Sequence, residues 1–148
     1  MPTTCTRPRR GTDFQNRIGL MIGLCGIEKS FTTLSGKLPV LKGITAEIQS
    51  GEFIAIMGPS GSGKSTLLSI IGCLDRASGG RFSFQGIDIG SLTDDEETEL
   101  RNRAIGFVFQ SFNLIHSLNI VENVEVPLFY SGMARLERRR CALEALEQ

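Results

Sequence analysis

The sequence predicts an α/β fold, a parallel core carrying an antiparallel β portion on its N-terminal side. Three observations carry that reading. Phe53-Ile54-Ala55-Ile56-Met57 is a continuous apolar run, the pattern of a parallel strand covered on both faces. It feeds directly into a glycine-rich loop, Gly58-Pro59-Ser60-Gly61-Ser62-Gly63-Lys64-Ser65-Thr66. Beyond the loop, Leu67, Ile70, Ile71 and Leu74 recur at helical spacing, and Leu68 widens the stripe.

In chain order, Leu24 to Phe31 reads as a first strand and Val40 to Ile48 as a second, joined by a polar turn through Thr32, Ser35 and Gly36. Ser50-Gly51 turns the chain into the buried strand. After the helix, Ser78-Gly79-Gly80 reads as a turn, Arg81 to Gln85 as a short alternating strand, and Gly86 as another break. Thr93 with Glu96 forms a capping box that opens an acidic helix ending near Asn102. Ile105-Gly106-Phe107-Val108-Phe109 is a second apolar strand candidate, and Gln110 follows it, at the carboxyl end where ligands of open parallel sheets sit. Phe112 to Tyr130 mixes apolar residues with Asn and Pro and predicts short helices and loops. Ala134 to Gln148 predicts a helix, with Leu136, Leu143 and Leu146 on one face and Arg140 four residues before Glu144 on another. No Gly, Asn or Pro closes that helix, and the expectation is a chain cut within a longer domain.

The glycine loop fits G-x-x-x-x-G-K-[ST] without mismatch. Glycine lets successive backbone N–H groups converge on one point, and the positive end of the following helix dipole favours an anion there. Lys64 would reach the β and γ phosphates of a nucleotide. Ser65 offers a hydroxyl to Mg²⁺, a hard cation that prefers oxygen ligands.

At 148 residues the chain has the length of one domain. Sixteen basic residues balance sixteen acidic ones, so no overall field points to nucleic acid or to an anionic membrane. Arg7, Arg9, Arg10 and Arg17 make the N-terminus basic, and the run from Asp94 to Glu99 is acidic; both read as solvated segments. Cys5, Cys25, Cys73 and Cys141 are widely spaced, form no C-x-x-C pair, and read as reduced thiols. The apolar stretch Ile18 to Cys25 follows basic residues, but it is short and glycine-rich, lacks a small-x-small cleavage site, and cannot cross a bilayer. Residues 1 to about 20 are expected to be a disordered basic extension, with Met21 as an alternative initiator.

With these residues in hand, the chain resembles the N-terminal part of an ABC-transporter ATPase. The resemblance rests on the segment from Gly51 to Leu68, on Gly72-Cys73-Leu74-Asp75, on Ile105 to Gln110, and on Glu122-Asn123-Val124 with Pro127-Leu128. It covers residues 22 to 148 and is most similar to ATPases of macrolide and antimicrobial-peptide exporters and of lipoprotein-release systems. It implies a RecA-like P-loop core truncated in its helical subdomain, with residues 21–148 forming a partial nucleotide-binding domain. It also implies ATP and Mg²⁺ as cofactors, a transmembrane permease subunit and a second nucleotide-binding domain as partners, no nucleic acid, and a place on the cytoplasmic face of the plasma membrane.

By the same resemblance, Phe31 falls where the family stacks an aromatic on adenine, and a phenylalanine keeps the stacking face. Gln110 falls on the Q-loop glutamine, which contacts Mg²⁺ and the attacking water. The family's signature motif, Walker B carboxylates and switch histidine lie beyond these motifs. Ala77-Ser78-Gly79-Gly80-Arg81 is like the signature core in letters only, since it precedes the Q-loop and leads into a strand. His116 follows Gln110 too closely to be the switch and reads as a loop residue. Two alternatives stay open: a non-catalytic remnant of such an ATPase, and a small P-loop kinase or GTPase, against which the lack of an N-K-x-D guanine motif argues.

Overall fold

The computed structural model describes residues 19–34 and 36–148. Residues 1–18 of the expected extension, and Ser35 of the expected turn, lie outside them. Leu20, placed in the extension by the sequence, already belongs to the first strand. The described residues fall into two compact units, one up to Thr98 and the other from Glu99 onward.

The first unit is built on a four-stranded antiparallel sheet. Strands β1 (Leu20–Thr33), β2 (Gly36–Gln49), β3 (Gly79–Phe84) and β4 (Ile87–Asp88) lie in the order β2-β1-β3-β4. Both strands of the predicted hairpin are present and longer than expected. β2 is an edge strand, which is why Pro39, unable to donate to a ladder, is tolerated within it. Helix α1 (Lys64–Ile71) follows the glycine loop and contacts β2. Its Ile70, together with Cys73, Leu24, Ile27, Leu41, Phe82, Phe84 and Ile89, makes up the buried apolar core of this unit.

The register of β1 is not regular. It slips against β2 between Leu24 and Ile27 and again between Lys29 and Ser30, and against β3 between Cys25 and Glu28. At the slip against β3 Gly80 sits at φ +87°, and a Cβ there would stand 2.2 Å from the Gly26 carbonyl oxygen. Only glycine permits that crossing. The Ser78-Gly79-Gly80 turn is therefore corrected: Ser78 is a bend, but Gly79 and Gly80 open β3 and let it lie against the bulge.

Two further expectations are overturned. Phe53 to Met57 and Ile105 to Phe109 carry no strand ladder, and Phe53 and Met57 are 95% and 88% exposed. An apolar run records a demand for burial, whereas a strand exists only through hydrogen bonds to a neighbour. Among the described residues neither run is hydrogen-bonded to a strand as part of the sheet.

Helix α2 (Asp94–Ala104) carries the predicted capping box: the Thr93 N–H donates to Glu96 Oε2 at 2.8 Å, and the Glu96 N–H returns to Thr93 Oγ1 at 3.4 Å. Glu97, one residue on, is buried and accepts from Arg76 Nε at 3.0 Å and Nη2 at 2.7 Å.

The second unit pairs α3 (Ile120–Tyr130) with α4 (Arg135–Leu146). A capping box that the sequence reading did not single out, Asn119 with Glu122, starts α3. Asn123 braces the loop before it, accepting from the Ile115 N–H at 2.8 Å and donating to the Leu118 and Asn119 carbonyls. On α4 the expected Arg140–Glu144 pair forms at 2.8 Å. Leu136, Leu143 and Leu146 remain exposed.

Candidate functional site

The glycine loop is positioned by what holds its two ends. Behind it, the Ser62 N–H donates to the Pro59 carbonyl and closes a tight turn. Ahead of it, the Leu67 N–H reaches the Gly63 carbonyl and begins α1. Gly63 is the N-cap at φ +90°, and a Cβ on it would stand 2.8 Å from Leu41 Cδ2 and 3.3 Å from the Val40 carbonyl oxygen. The loop thus rests its backbone directly on β2. Where it does so, Gly61 and Ser62 face Leu38, Pro39, Val40, Leu41, Lys42 and Ile44 across an open groove of about 440 Å³.

Lys64 curls back over the loop, its Nζ donating to the Gly58 carbonyl at 2.9 Å and the Pro59 carbonyl at 2.7 Å. Neutral carbonyls hold the ammonium in place without cancelling its charge. The first turn of α1 contains no acidic residue, and its leading N–H groups have no intrahelical acceptor. A cation, a positive helix end and a backbone approached too closely for side chains fit a polyphosphate. Ser65 is exposed at the second position of the helix, Thr66 is half-buried beside it, and Pro59 and Ser60 form the exposed outer rim. An oxygen donor of the Ser65 kind fits Mg²⁺ rather than a thiolate-seeking metal. Among the described residues no cluster of His, Cys, Asp and Glu could hold a metal by itself.

Phe31 stands near the end of β1, 42% exposed, with Leu38 of β2 as its register partner. Leu38 also lines the groove below Gly61, so Phe31 and the loop belong to one unit and border the same strand. Gln110 is exposed at a bend in the other unit, after an extended stretch in which the Phe107 and Phe109 rings stack at 5.6 Å. His116 is an exposed turn residue. Cys73 and Cys141 are not in a disulfide, but Cys25 is disulfide-bonded, against the expectation of reduced thiols. Distance along a chain says nothing about which cysteines the fold brings together.

Sequence reasoning did not foresee the group beneath Phe31. Lys29 is buried, and its Nζ donates to Asp75 Oδ1 at 2.5 Å and the Arg76 carbonyl at 2.7 Å, while lying 5.2 Å from the centre of the Phe31 ring. A lysine two residues from a candidate aromatic was the available signal.

A family model described as ABC transporter matches residues 41–148. The chain is 49% identical over 128 residues to the uncharacterized ABC transporter ATP-binding protein YvrO of Bacillus subtilis, covering 86% of this chain and 56% of that protein. It is 53% identical over 118 residues to the macrolide export ATP-binding/permease protein MacB of Marinobacter nauticus, covering 80% and 18% respectively. Among solved structures it superposes on the ATP-binding cassette MJ0796, dimeric and bound to ADP and Pi, with TM-score 0.78 and 46% identity over 86% of this chain and 56% of that one. The chain therefore spans about half the length of YvrO and of MJ0796. The expected α/β P-loop fold class is borne out by the last of these likenesses.

Proposed function

Because the chain belongs to the ABC transporter family, we propose that it is the part of an ATP-binding subunit that holds MgATP, coupling nucleotide binding to export across a membrane. The observation that carries this reading is the Gly58–Thr66 loop set on β2, with the Lys64 ammonium on its rim and the open end of α1 behind it. The loop amides and Lys64 take the β and γ phosphates, and Ser65 ligates Mg²⁺. Phe31 stacks on the base. For Gln110 the role is that of the family's Q-loop glutamine, a contact to Mg²⁺ and water and a link to the permease.

The partners follow from the same reading. A transmembrane permease, separate or fused as in MacB, supplies the substrate path, and a second copy of the domain completes each site, in keeping with the dimeric cassette MJ0796. No helix among the described residues is long and apolar enough to cross a membrane. A peripheral place on the cytoplasmic face is the location this role requires.

Calorimetric titration tests the proposal with MgATP, MgGTP and inorganic triphosphate. The expected result is saturable binding of all three, with Phe31→Ala weakening both nucleotides and sparing triphosphate. Absence of triphosphate binding to the folded chain would remove the phosphate cradle and the proposal with it.

A further inference from the structure

Lys29 and Phe31 lie two residues apart on β1, and across the register slip between Lys29 and Ser30 the Lys29 Nζ comes within 5.2 Å of the centre of the Phe31 ring. A buried ammonium must find acceptors. Lys29 finds them in the segment that leaves α1, through the Asp75 carboxylate and the Arg76 carbonyl. That segment is laced to β1 further along. The Ser78 N–H donates to the Glu28 carbonyl at 2.7 Å, and the Ser30 N–H donates to Ser78 Oγ at 3.1 Å. Residues 75–78 thus run as a strap beside residues 28–30 before entering β3.

Two of the three ammonium donors are spent on the strap, and the remaining side of Nζ is turned to the Phe31 ring at 5.2 Å. That distance is within the range in which a cation is attracted to an aromatic face. The ring is otherwise an exposed side chain on a strand whose neighbour, β2, is an edge. A cation on one side also draws the π density toward itself, leaving the opposite face less repulsive to the π cloud of a purine.

We infer that Lys29, anchored by Asp75, is a positioning residue that fixes Phe31 as a platform for the nucleobase. The platform is thereby tied to the carboxyl end of the helix that carries the phosphate loop. This rests on the reading of Phe31 as the base-stacking residue. Lys29 itself touches no nucleotide.

The test compares MgATP with inorganic triphosphate by calorimetry, using the ratio of their dissociation constants as readout. Loss of a partly buried cation–π contact should make Lys29→Met lower the preference for ATP by about three- to tenfold, with triphosphate affinity changed less than about twofold. Lys29→Arg, which keeps the charge and reaches the same partners, should restore the preference. In the Phe31→Ala background, Lys29→Met should change the ratio no further.

If Lys29→Met proves unfolded by circular dichroism, Asp75→Asn loosens the same anchor and should lower the ratio in the same direction. A Phe31→Ala chain with its ATP preference intact would overturn the reading of Phe31 itself. A preference that depends on Phe31 but survives Lys29→Met or Asp75→Asn would overturn only the positioning role. Equal loss of ATP and triphosphate on Lys29→Met would mark Lys29 as a structural residue and also refute the inference.

Discussion

The Lys64 ammonium donates a 2.7 Å hydrogen bond to the carbonyl of Pro59, five residues before it. The same carbonyl accepts the Ser62 N–H, so one oxygen closes the loop and parks the lysine at its rim. In the proposed function this is where an incoming phosphate meets the cation. Moving it from carbonyls to phosphate exchanges neutral acceptors for charged ones, which form roughly twice as strong a hydrogen bond.

Lys64→Ala is expected to remove most MgATP affinity. Truncating one member of a hydrogen-bonded charge pair costs on the order of 2 to 5 kcal/mol, which is most of the free energy of a micromolar complex. Calorimetry on the folded variant checks this, and an affinity equal to that of the parent would show that the loop is not the phosphate site.

Gly63→Ala should damage the fold and the site together. The new Cβ would be forced to a left-handed φ and driven within 2.8 Å of buried Leu41 and 3.3 Å of the Val40 carbonyl. Strain and overpacking of this kind cost about 1 to 3 kcal/mol. A drop in the denaturant midpoint accompanied by weaker triphosphate binding is the expected pair of results. Unchanged stability would mean that the loop does not rest on β2.

The start of α2 should weaken in acid. The Thr93 N–H, and after it the Thr93 hydroxyl, hold the Glu96 carboxyl below its ordinary range, against a smaller opposing effect of desolvation. A depressed carboxylate contributes stability above its unfolded value and loses it as the pH falls through the folded one. Carbon-detected titration of Glu96 should show the depressed value, and amide exchange in the first turn of α2 should quicken as that value is passed. In Glu96→Gln the exchange rates should lack this transition.

A polypeptide of these 148 residues should bind nucleotide without measurable turnover. Phosphoryl transfer is catalysed mainly by positioning water and stabilising charge. No apolar run in the sequence ends in Asp-Glu, the pattern that the family resemblance gives for the carboxylate acting on the water. Phosphate release at the rate of a buffer blank is expected. Turnover abolished by Lys64→Ala would show that the catalytic machinery lies among residues assigned other roles here.

The sequence alone determined the features whose causes are local. The loop, the Thr93–Glu96 box and the Arg140–Glu144 pair each depend on residues a few positions apart, and each formed, as did the β1–β2 hairpin, whose strands follow one another in the chain. Local patterns also located Phe31 on its strand. Tertiary structure decided what depends on neighbours distant in sequence. Phe53 to Met57 had the composition of a strand, but hydrogen bonds from a neighbour make a strand, and among the described residues this run is not hydrogen-bonded into the sheet. Lys29 meets Asp75 across 46 residues, and Arg76 meets Glu97 across 21. The slips in β1 register set which side chains face inward, and a slip is invisible to any count of alternating residues. The proposed phosphate cradle could therefore be read from nine consecutive residues, whereas the Lys29 contact to Phe31 appeared only once β1 and the strap after α1 lay side by side.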